Sequence, residues 1–217
     1  MNSPLSSSLE NMYWIGGTSG SAKSTIARRI AAEHDMLLYS TDEVMGNHAN
    51  RCTREECPLL EEFKQMTMDE RWATRTPEAM FETFQWFHGE GFNLIIEDLL
   101  ELPSDRKVIV EGFRLLPNLV KPLLKKTCQA VWLISTPEFR FKAFNERGTL
   151  RDIPDKTSNP EKALQNHLER ESLFMQHLIE ETRTEGVTAL TVDGSFSEEE
   201  LLKRVSTHFE IGQPNKA

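Results

Sequence analysis

The sequence has little cysteine and no long apolar run. Three of its 217 residues are cysteines, Cys52, Cys57 and Cys128. An odd number without framework spacing excludes a disulfide-stapled fold and predicts reduced thiols, as in a cytoplasmic protein. No stretch approaches the ~20 apolar residues that a membrane span needs, so we expect no membrane partner. The Ser-rich residues 1–11 lack the apolar centre of a signal peptide, and the first few are expected to be loose.

Basic charge is also in short supply. The chain has 25 Lys and Arg against 34 Asp and Glu, a formal net charge of −9. Nucleic acids and anionic membranes both favour a basic surface, so this balance argues against either as a broad partner. A chain of this length suffices for one α/β domain with a sizeable core and an inserted helical region. Composition leaves the oligomeric state open between monomer and homodimer.

What the sequence does contain is a strand, a loop of small residues and a helix, in that order. Residues 12–15 are a short apolar run typical of a buried strand, and residues 16–22 carry no large side chain. Residues 23–32 then have helical spacing, with Ile26 and Ile30 on one face. This order is typical of a phosphate-binding loop.

The residue types in this loop suit a phosphate. Backbone N–H groups can surround a phosphate where no Cβ blocks the approach, which explains Gly17 and Gly20, and the first helical turn adds unpaired N–H groups. Lys23 can reach the terminal phosphates of ATP, and the Ser24 hydroxyl can hold Mg²⁺. We expect the nucleotide to contact Gly17, Thr18, Ser19, Gly20, Ser21, Ala22, Lys23, Ser24 and Thr25.

The loop departs from the strict pattern Gly-x-x-x-x-Gly-Lys-[Ser/Thr] at one position. Ala22 stands where the pattern has its second glycine. If the backbone there needs a positive φ, alanine costs about 1 kcal/mol or more, whereas at a negative φ it is harmless. A glycine-rich turn that merely packs between strand and helix is the alternative interpretation.

The rest of the chain alternates apolar runs with helical patterns. Further strands are expected at residues 36–39, 107–112, 130–134 and 188–192. Cap-then-proline and capping-box signals start helices after Thr76, Thr136, Asn159 and Ser197. Strands that alternate with helices predict an α/β fold with a five-stranded parallel sheet covered on both faces.

This layout divides one domain into three regions. The core comprises residues 12–42, 107–146 and 187–211, a helical substrate region covers 43–105, and a lid covers 147–158. Apolar spacing from residue 77 to residue 99 predicts a long helix that Gly89 and Gly91 bend or divide. The helices of residues 43–92 would lie over the mouth of the site, although packing onto the sheet edge explains most of Phe84, Trp86 and Phe92.

Two carboxylates belong at the same edge of the sheet as the loop. Ligands of open parallel sheets bind beyond the carboxyl ends of the strands, where Asp42 and Glu111 both fall. Asp42 is the candidate base for the proton of an attacking alcohol, and Glu111 the candidate for holding Mg²⁺ or its waters. The alternative role for Asp42 is the N-cap of a helix starting at Glu43. The alternative role for Glu111 is a structural hydrogen bond at the end of its strand.

Arginines are the candidates for stabilising a transferring phosphoryl group. Arg147 and Arg151 lie where the helical pattern breaks, and the alternative is that they are solvated loop charges. Arg114 is a candidate substrate contact. By contrast, His48, Cys52 and Cys57 fit no common zinc spacing and predict no metal site, and His167 and His177 require no role in the helix that contains them.

Three segments together resemble the P-loop small-molecule kinases, the nucleoside and nucleotide kinase-like group. They are residues 17–25, Thr41-Asp42 and residues 108–112. The Val-Glu-Gly followed by Leu115-Leu116-Pro117 is similar to 2-phosphoglycerate and uridine kinases. The aspartate after the second strand is similar to that of shikimate, gluconate and chloramphenicol phosphotransferases. The resemblance covers residues 12–42, 107–152 and 187–210 and weakens over 43–105.

This resemblance implies a three-layer P-loop NTPase-type fold, with ATP and Mg²⁺ as cofactors and a small molecule as the phosphate acceptor. It implies that Asp42 is the base, that Arg147 and Arg151 belong to a lid, and that Asp193 lies in the turn near the adenine. The leading prediction is therefore a kinase that transfers the γ-phosphate of ATP to a hydroxyl.

Two rival functions remain. A nucleoside monophosphate kinase would need arginines near its substrate and no base, and Arg51, Arg54, Arg71 and Arg75 keep that alternative open. A nucleotide-binding regulator would hydrolyse ATP slowly or not at all. A degenerate loop that binds only phosphate or sulfate is a further possibility.

Overall fold

Five short parallel strands form the sheet on which the molecule is built. The computed structural model describes residues 4–211. The strands are β1 (Met12–Gly17), β2 (Leu37–Ser40), β3 (Val108–Glu111), β4 (Ala130–Ser135) and β5 (Thr188–Val192), and they lie in the order β2-β3-β1-β4-β5. The predicted five-stranded parallel sheet is confirmed, with strand bounds within two residues of those expected.

Helices connect these strands. They are α1 (Pro4–Ser8), α2 (Lys23–Glu33), α3 (Met45–Arg51), α4 (Pro58–Gln65), α5 (Met68–Trp72), α6 (Pro77–Glu82), α7 (Phe92–Leu100), α8 (Pro117–Val120), α9 (Pro137–Glu146), α10 (Pro160–Glu185) and α11 (Glu198–His208). Each of the four predicted cap side chains accepts a hydrogen bond from an N–H of the first turn. These four helix starts are therefore confirmed.

Helices cover both faces of the sheet. On one face Trp14 and Trp132 pack in a core that contains Phe174 of α10. On the other face Ile15 packs in a second core that contains Val205 of α11, together with the apolar face of α2. Because consecutive residues of the inner strands enter different cores, β1, β3 and β4 each contain an unbroken apolar run. The result is a helix–sheet–helix sandwich.

The long helix expected around Gly89 and Gly91 is two helices separated by a 3₁₀ turn. Both glycines take positive φ, 79° and 68°, so the expected division is present. The first break comes earlier, since α6 ends before the turn Gln85–Phe87. There the Phe87 ring stacks on Phe174 of α10, with 3.8 Å between ring centroids. Tertiary packing thus ends a helix that local spacing would continue.

Two short helices lie where the sequence pattern predicts no element. After α1, Leu9 is 1 % exposed and packs into the first core, and α8 begins with Pro117 in its first turn. Residues 1–3, part of the segment expected to be loose, lie outside the described residues. Of the helices within residues 4–211, none has both the length and the apolar character needed to cross a membrane.

A buried hydrogen-bond network joins α3 and α7 to β2. Asp98 accepts hydrogen bonds from Tyr39 at 2.7 Å, from His48 Nε2 at 2.8 Å and from Arg51 at 2.6 Å. Burial raises the pKa of Asp98, but the three donors outweigh that effect and hold the pKa at about 2. His48 Nδ1 accepts from Arg114 at 3.0 Å, so both ring nitrogens of His48 are occupied and the ring is neutral.

The glycine after β3 generates a stability prediction. Gly112 has a φ of +147°, and a Cβ there would lie 1.8 Å from Thr41 Oγ1. We expect Gly112→Ala to lower the free energy of unfolding by roughly 3 kcal/mol, from strain plus overpacking, as measured by urea denaturation. The matched control is Gly186→Ala, whose Cβ at φ +62° would meet nothing within 4 Å and should cost about 1 kcal/mol. Equal losses would contradict the steric account.

Candidate functional site

Three residues in the segment from the end of β1 to the start of α2 have positive φ, and the chain changes direction there. Gly17, Gly20 and Ala22 have φ values of 126°, 73° and 66°. At Gly17 a Cβ would lie 1.9 Å from the carbonyl oxygen of Leu133, so only glycine allows β1 and β4 to lie this close at that point. Beyond this contact the chain turns outward, and residues 19–25 line one wall of a cavity.

Thr18 ties the loop to the end of β4. Its hydroxyl oxygen accepts from the Ser135 N–H at 2.8 Å and lies 2.8 Å from the Ser135 hydroxyl, which donates to the Ser19 carbonyl at 3.0 Å. Thr18 is fully buried, and neither it nor Gly17 lines the cavity. The structure therefore places these two predicted nucleotide contacts behind the loop, where they support it.

Lys23 begins α2 with a buried ammonium group. Its Nζ donates to the Thr18 carbonyl at 2.6 Å, and the residue is 6 % exposed. Burial lowers the pKa of Lys23, while the negative charges of Asp42 and Glu111 act in the opposite direction. Within residues 4–211 no carboxylate forms an ion pair with Lys23. A buried cation whose partner is a neutral carbonyl has unused capacity for an anion.

Ala22 has the left-handed backbone conformation, with φ 66° and ψ 11°. At a positive φ such as this one, alanine costs about 1 kcal/mol or more relative to an unstrained residue. Ala22 is also the N-cap of α2 and provides no side-chain cap. The departure from the strict glycine pattern is therefore a point of local strain at the cavity wall.

Two hydroxyl groups hold Glu111 at the edge of the sheet. Ser40 donates to Oε1 at 2.6 Å and Ser24 donates to Oε2 at 3.1 Å, and Glu111 is 1 % exposed. A structural hydrogen bond was the alternative role considered for Glu111, and these two hydrogen bonds fit that role. They also place a carboxylate beside the hydroxyl of the loop serine, and oxygen ligands of this kind suit Mg²⁺.

A Mg²⁺ ion at this place would rely on few protein ligands. Among the described residues there is no cluster of three or more His, Cys, Asp or Glu side chains that could hold a metal. Mg²⁺ characteristically keeps several waters and is bound by one or two protein oxygens plus substrate phosphates. Ser24 and Glu111 fit that arrangement.

Asp42 lies on the cavity from the end of β2. α3 begins at Met45 with Val44 as its cap, so Asp42 is not the N-cap of a helix starting at Glu43. The Asp42 side chain is exposed and accepts a 3.3 Å hydrogen bond from Thr41. Because it has no ion-pair partner among the described residues, this carboxylate is available to accept a proton from a ligand.

One cavity of about 900 Å³ connects the loop to the helical region. Part of its lining is aromatic, and we call this part the aromatic wall: Phe63, Trp72, Phe84, Trp86, Phe87 and Phe113. Phe84 and Trp86, which packing alone was expected to explain, lie on this wall, whereas Phe92 packs against the first core. The helical region and the loop thus line the same cavity.

The two predicted lid arginines lie in different places. Arg147, at the end of α9, lines the cavity and is exposed. Arg151 lies outside the cavity lining and pairs with Asp155 and Glu161, in each case at 2.9 Å. The structure therefore brings Arg147 to the loop and keeps Arg151 on the surface.

Two further predicted contacts lie outside the cavity lining. Arg114 is 2 % exposed, donates to the Gly91 carbonyl at 3.1 Å and stacks 4.2 Å from the ring centre of Trp86. Burial lowers the pKa of Arg114 to about 10. Asp193 is exposed and accepts from the N–H of Ser195 at 2.9 Å within its own turn. In this conformation Arg114 supports the aromatic wall from behind.

Polar residues that sequence reasoning did not select also line the cavity, among them these four: Gln85, His167, Arg170 and Glu171. Three of them lie on α10, in the same stripe as the buried residues Ala163 and Phe174. Polar residues on the buried stripe of a long amphipathic helix were the available signal. Gln85 carried no comparable signal, because it lies in a turn that the apolar spacing did not predict.

No model of a known protein family and no curated protein matched this sequence. The fold and the site by themselves define an α/β protein whose main cavity opens at the carboxyl end of the central strand of a five-stranded parallel sheet.

The strain at Ala22 is testable by substitution. We expect Ala22→Gly to raise the free energy of unfolding by about 0.5–1 kcal/mol, because relief of the left-handed strain exceeds the entropic cost of glycine. Ala32→Gly, at an exposed position of the same helix, is the matched control and should lower it by about 0.5–1 kcal/mol. Urea denaturation measures both, and two changes of the same sign would refute the assignment of strain to residue 22.

Proposed function

We propose that this protein is an ATP-dependent phosphotransferase with a P-loop NTPase-type fold, and that it moves the γ-phosphate of ATP to a hydroxyl of a small molecule. The observation that carries the proposal is that one cavity contains both the buried Lys23 ammonium with its small-residue loop and the exposed Asp42 carboxylate. The first is suited to phosphate, and the second to the proton of an attacking alcohol.

The loop supports binding of the triphosphate. Residues 19–25 line the cavity with small side chains on either side of Lys23, and the first turn of α2 adds N–H groups without intrahelical partners. Exchange of the Thr18 carbonyl for a phosphate oxygen would give Lys23 a charged partner in place of a neutral one. Mg²⁺ bound with ATP beside Ser24 and Glu111 would supply positive charge to the transferring phosphoryl group.

Asp42 would serve as the base. The acceptor oxygen forms a bond to the γ-phosphorus, the bond from that phosphorus to the β,γ-bridging oxygen breaks, and ADP leaves. The hydroxyl proton goes to the Asp42 carboxylate. Arg147, which lines the cavity and has no ion-pair partner among the described residues, would stabilise the charge on the moving phosphoryl oxygens.

Features of the helical region favour a hydroxyl over a phosphate as the acceptor. The four arginines that a phosphate acceptor would use are absent from the cavity lining. Arg51 pairs with Asp98, Arg71 donates to the Phe63 carbonyl, and Arg75 donates to the Ala79 carbonyl; Arg54 is exposed. The same cavity argues against a pure regulator, which needs no acceptor compartment beyond its nucleotide site.

Substitution of Lys23 tests the nucleotide site. We expect Lys23→Met to weaken binding of Mg²⁺-ATP roughly 10- to 100-fold, since a charged hydrogen bond contributes about 1.5–3 kcal/mol. Isothermal titration measures the affinity, and circular dichroism establishes that the variant is folded. Lys142→Met, at an exposed residue of α9, is the matched control and should bind as the parent does. A folded Lys23→Met protein with parental affinity would remove the proposal.

Substitution of Asp42 tests the chemistry. In an ADP-release screen over sugars, nucleosides, aminoglycosides and phosphorylated acids, we expect Asp42→Asn to lower kcat for the accepted substrate by about 10²–10⁴. Its affinity for Mg²⁺-ATP should be unchanged. Glu43→Gln, at the next residue, is the control and should retain turnover. Undiminished turnover of Asp42→Asn would favour a phosphate acceptor, which needs no base.

A further inference from the structure

The aromatic wall of the cavity is built from flat side chains. Phe63 contacts Trp72 and Phe84 edge to face, with ring centroids 6.1 Å and 5.6 Å apart. Trp86, on the same wall, is fixed from behind by the guanidinium of Arg114 at 4.2 Å. Trp72, Trp86 and Phe87 are at most 7 % exposed, whereas Phe63, Phe84 and Phe113 are partly exposed. These three partly exposed rings are the ones on which a planar ligand would stack at little entropic cost.

One amide interrupts this wall. Gln85 lies between Phe84 and Trp86 in sequence, lines the cavity and is 2 % exposed. Its Oε1 is buried and accepts no hydrogen bond from the described residues. A buried amide oxygen without a donor costs about 1–3 kcal/mol, and a ligand N–H or O–H would recover that cost. The amide therefore points to a ligand with a hydrogen-bonding edge as well as a flat face.

A buried ion pair completes the polar part of the cavity. Arg170 donates to Glu171 Oε1 at 2.7 Å, and both side chains are at most 5 % exposed. The Arg170 guanidinium lies 4.4 Å from the ring centre of Phe84 and 4.7 Å from that of Trp72. Burial raises the pKa of Glu171, but Arg170, His167 and Arg140 together outweigh burial and hold that pKa below its usual value.

This pair is neutral as a whole, yet it has unused hydrogen-bonding capacity. Arg170 Nε and Glu171 Oε2 are both buried and without partners among the described residues. Because Glu171 compensates the Arg170 charge, the pair presents no net charge to a ligand. The pair is suited to an uncharged group that both donates and accepts hydrogen bonds.

We propose that the phosphate acceptor is an uncharged alcohol that carries a planar heteroaromatic ring with adjacent hydrogen-bond donor and acceptor groups. The ring stacks on the aromatic wall, its polar edge bonds to Gln85 and to the Arg170–Glu171 pair, and its hydroxyl is directed toward Asp42. The inference rests on the proposed function for the transfer step, but the binding it requires can be measured without ATP.

The first experiment is a comparison of acceptors. The probes are the four ribonucleosides and pyridoxine as ring-bearing alcohols, ribose and glycerol as alcohols without a heteroaromatic ring, and the nucleoside 5′-monophosphates as charged counterparts. We expect Mg²⁺-ATP-dependent ADP release with at least one ring-bearing alcohol, at least tenfold weaker with its monophosphate, and none with ribose or glycerol. Ribose or glycerol accepted as well as any ring compound would overturn the inference.

A binding measurement separates this inference from the proposed function. Trp72 and Trp86 line the cavity, so stacking of a ring compound should quench tryptophan fluorescence in the absence of ATP. If Mg²⁺-ATP binds but none of the five ring compounds quenches the fluorescence or is phosphorylated, the acceptor class is wrong and the nucleotide site stands. If the ring compound binds but Mg²⁺-ATP does not, the proposed function fails instead.

Gln85 supplies the matched variants. Gln85→Leu and the more flexible Gln85→Met remove the amide at similar volume and leave no unpaired oxygen, so neither should cost stability. We expect each to raise the KM of the accepted ring compound at least tenfold, with the KM of ATP unchanged. Gln176→Leu, at an exposed position of α10, is the control. Unchanged KM values in both Gln85 variants would also overturn the inference.

Discussion

The buried ammonium group of Lys23 is the constraint on which the candidate site depends. Its partner is the carbonyl of Thr18, a residue of the same loop, at 2.6 Å. This contact closes the loop on itself and requires the chain to turn back within five residues, which accounts for the positive φ values at Gly20 and Ala22. The contact between Lys23 and Thr18 therefore fixes the loop conformation and the position of the charge together. A charge held by a carbonyl rather than by a carboxylate keeps its capacity for an anionic ligand.

Sheet topology places the other groups around this charge. β1 lies between β3 and β4, so the loop that follows it lies beside the carboxyl ends of both neighbours. Ile15 and Ser40 stand opposite Glu111 in the strand register, which brings the third strand's carboxylate between the loop and β2. Asp42 then follows β2 by two residues. Parallel pairing alone therefore gathers a cation and two carboxylates from three separate segments at one edge, as expected for ligand sites of open α/β sheets.

The sequence was sufficient for the parts of this arrangement that local chemistry determines. Unbroken apolar runs identified the strands, and side-chain caps such as Thr76 identified helix starts, because each depends on a few neighbouring residues. It was insufficient where distant contacts decide. The end of α6 depends on Phe87 stacking on Phe174, 87 positions further along the chain. The aromatic wall likewise meets α10 only in the folded state, so Gln85 and Arg170 could not be grouped from spacing alone.

Several local costs of the structure lie at this cavity. Ala22 is strained in its backbone, and Gln85, Arg170 and Glu171 each leave a buried polar atom without a partner among the described residues. Such features destabilise a fold by about 1–3 kcal/mol each and are retained where the surrounding packing enforces them. Here the two cores on either side of the sheet supply that packing, while the cavity between the loop and the helical region holds the uncompensated groups. A ligand with matching donors, acceptors and charge would supply the interactions that these groups lack in the protein alone. Those interactions would then contribute to the free energy of binding.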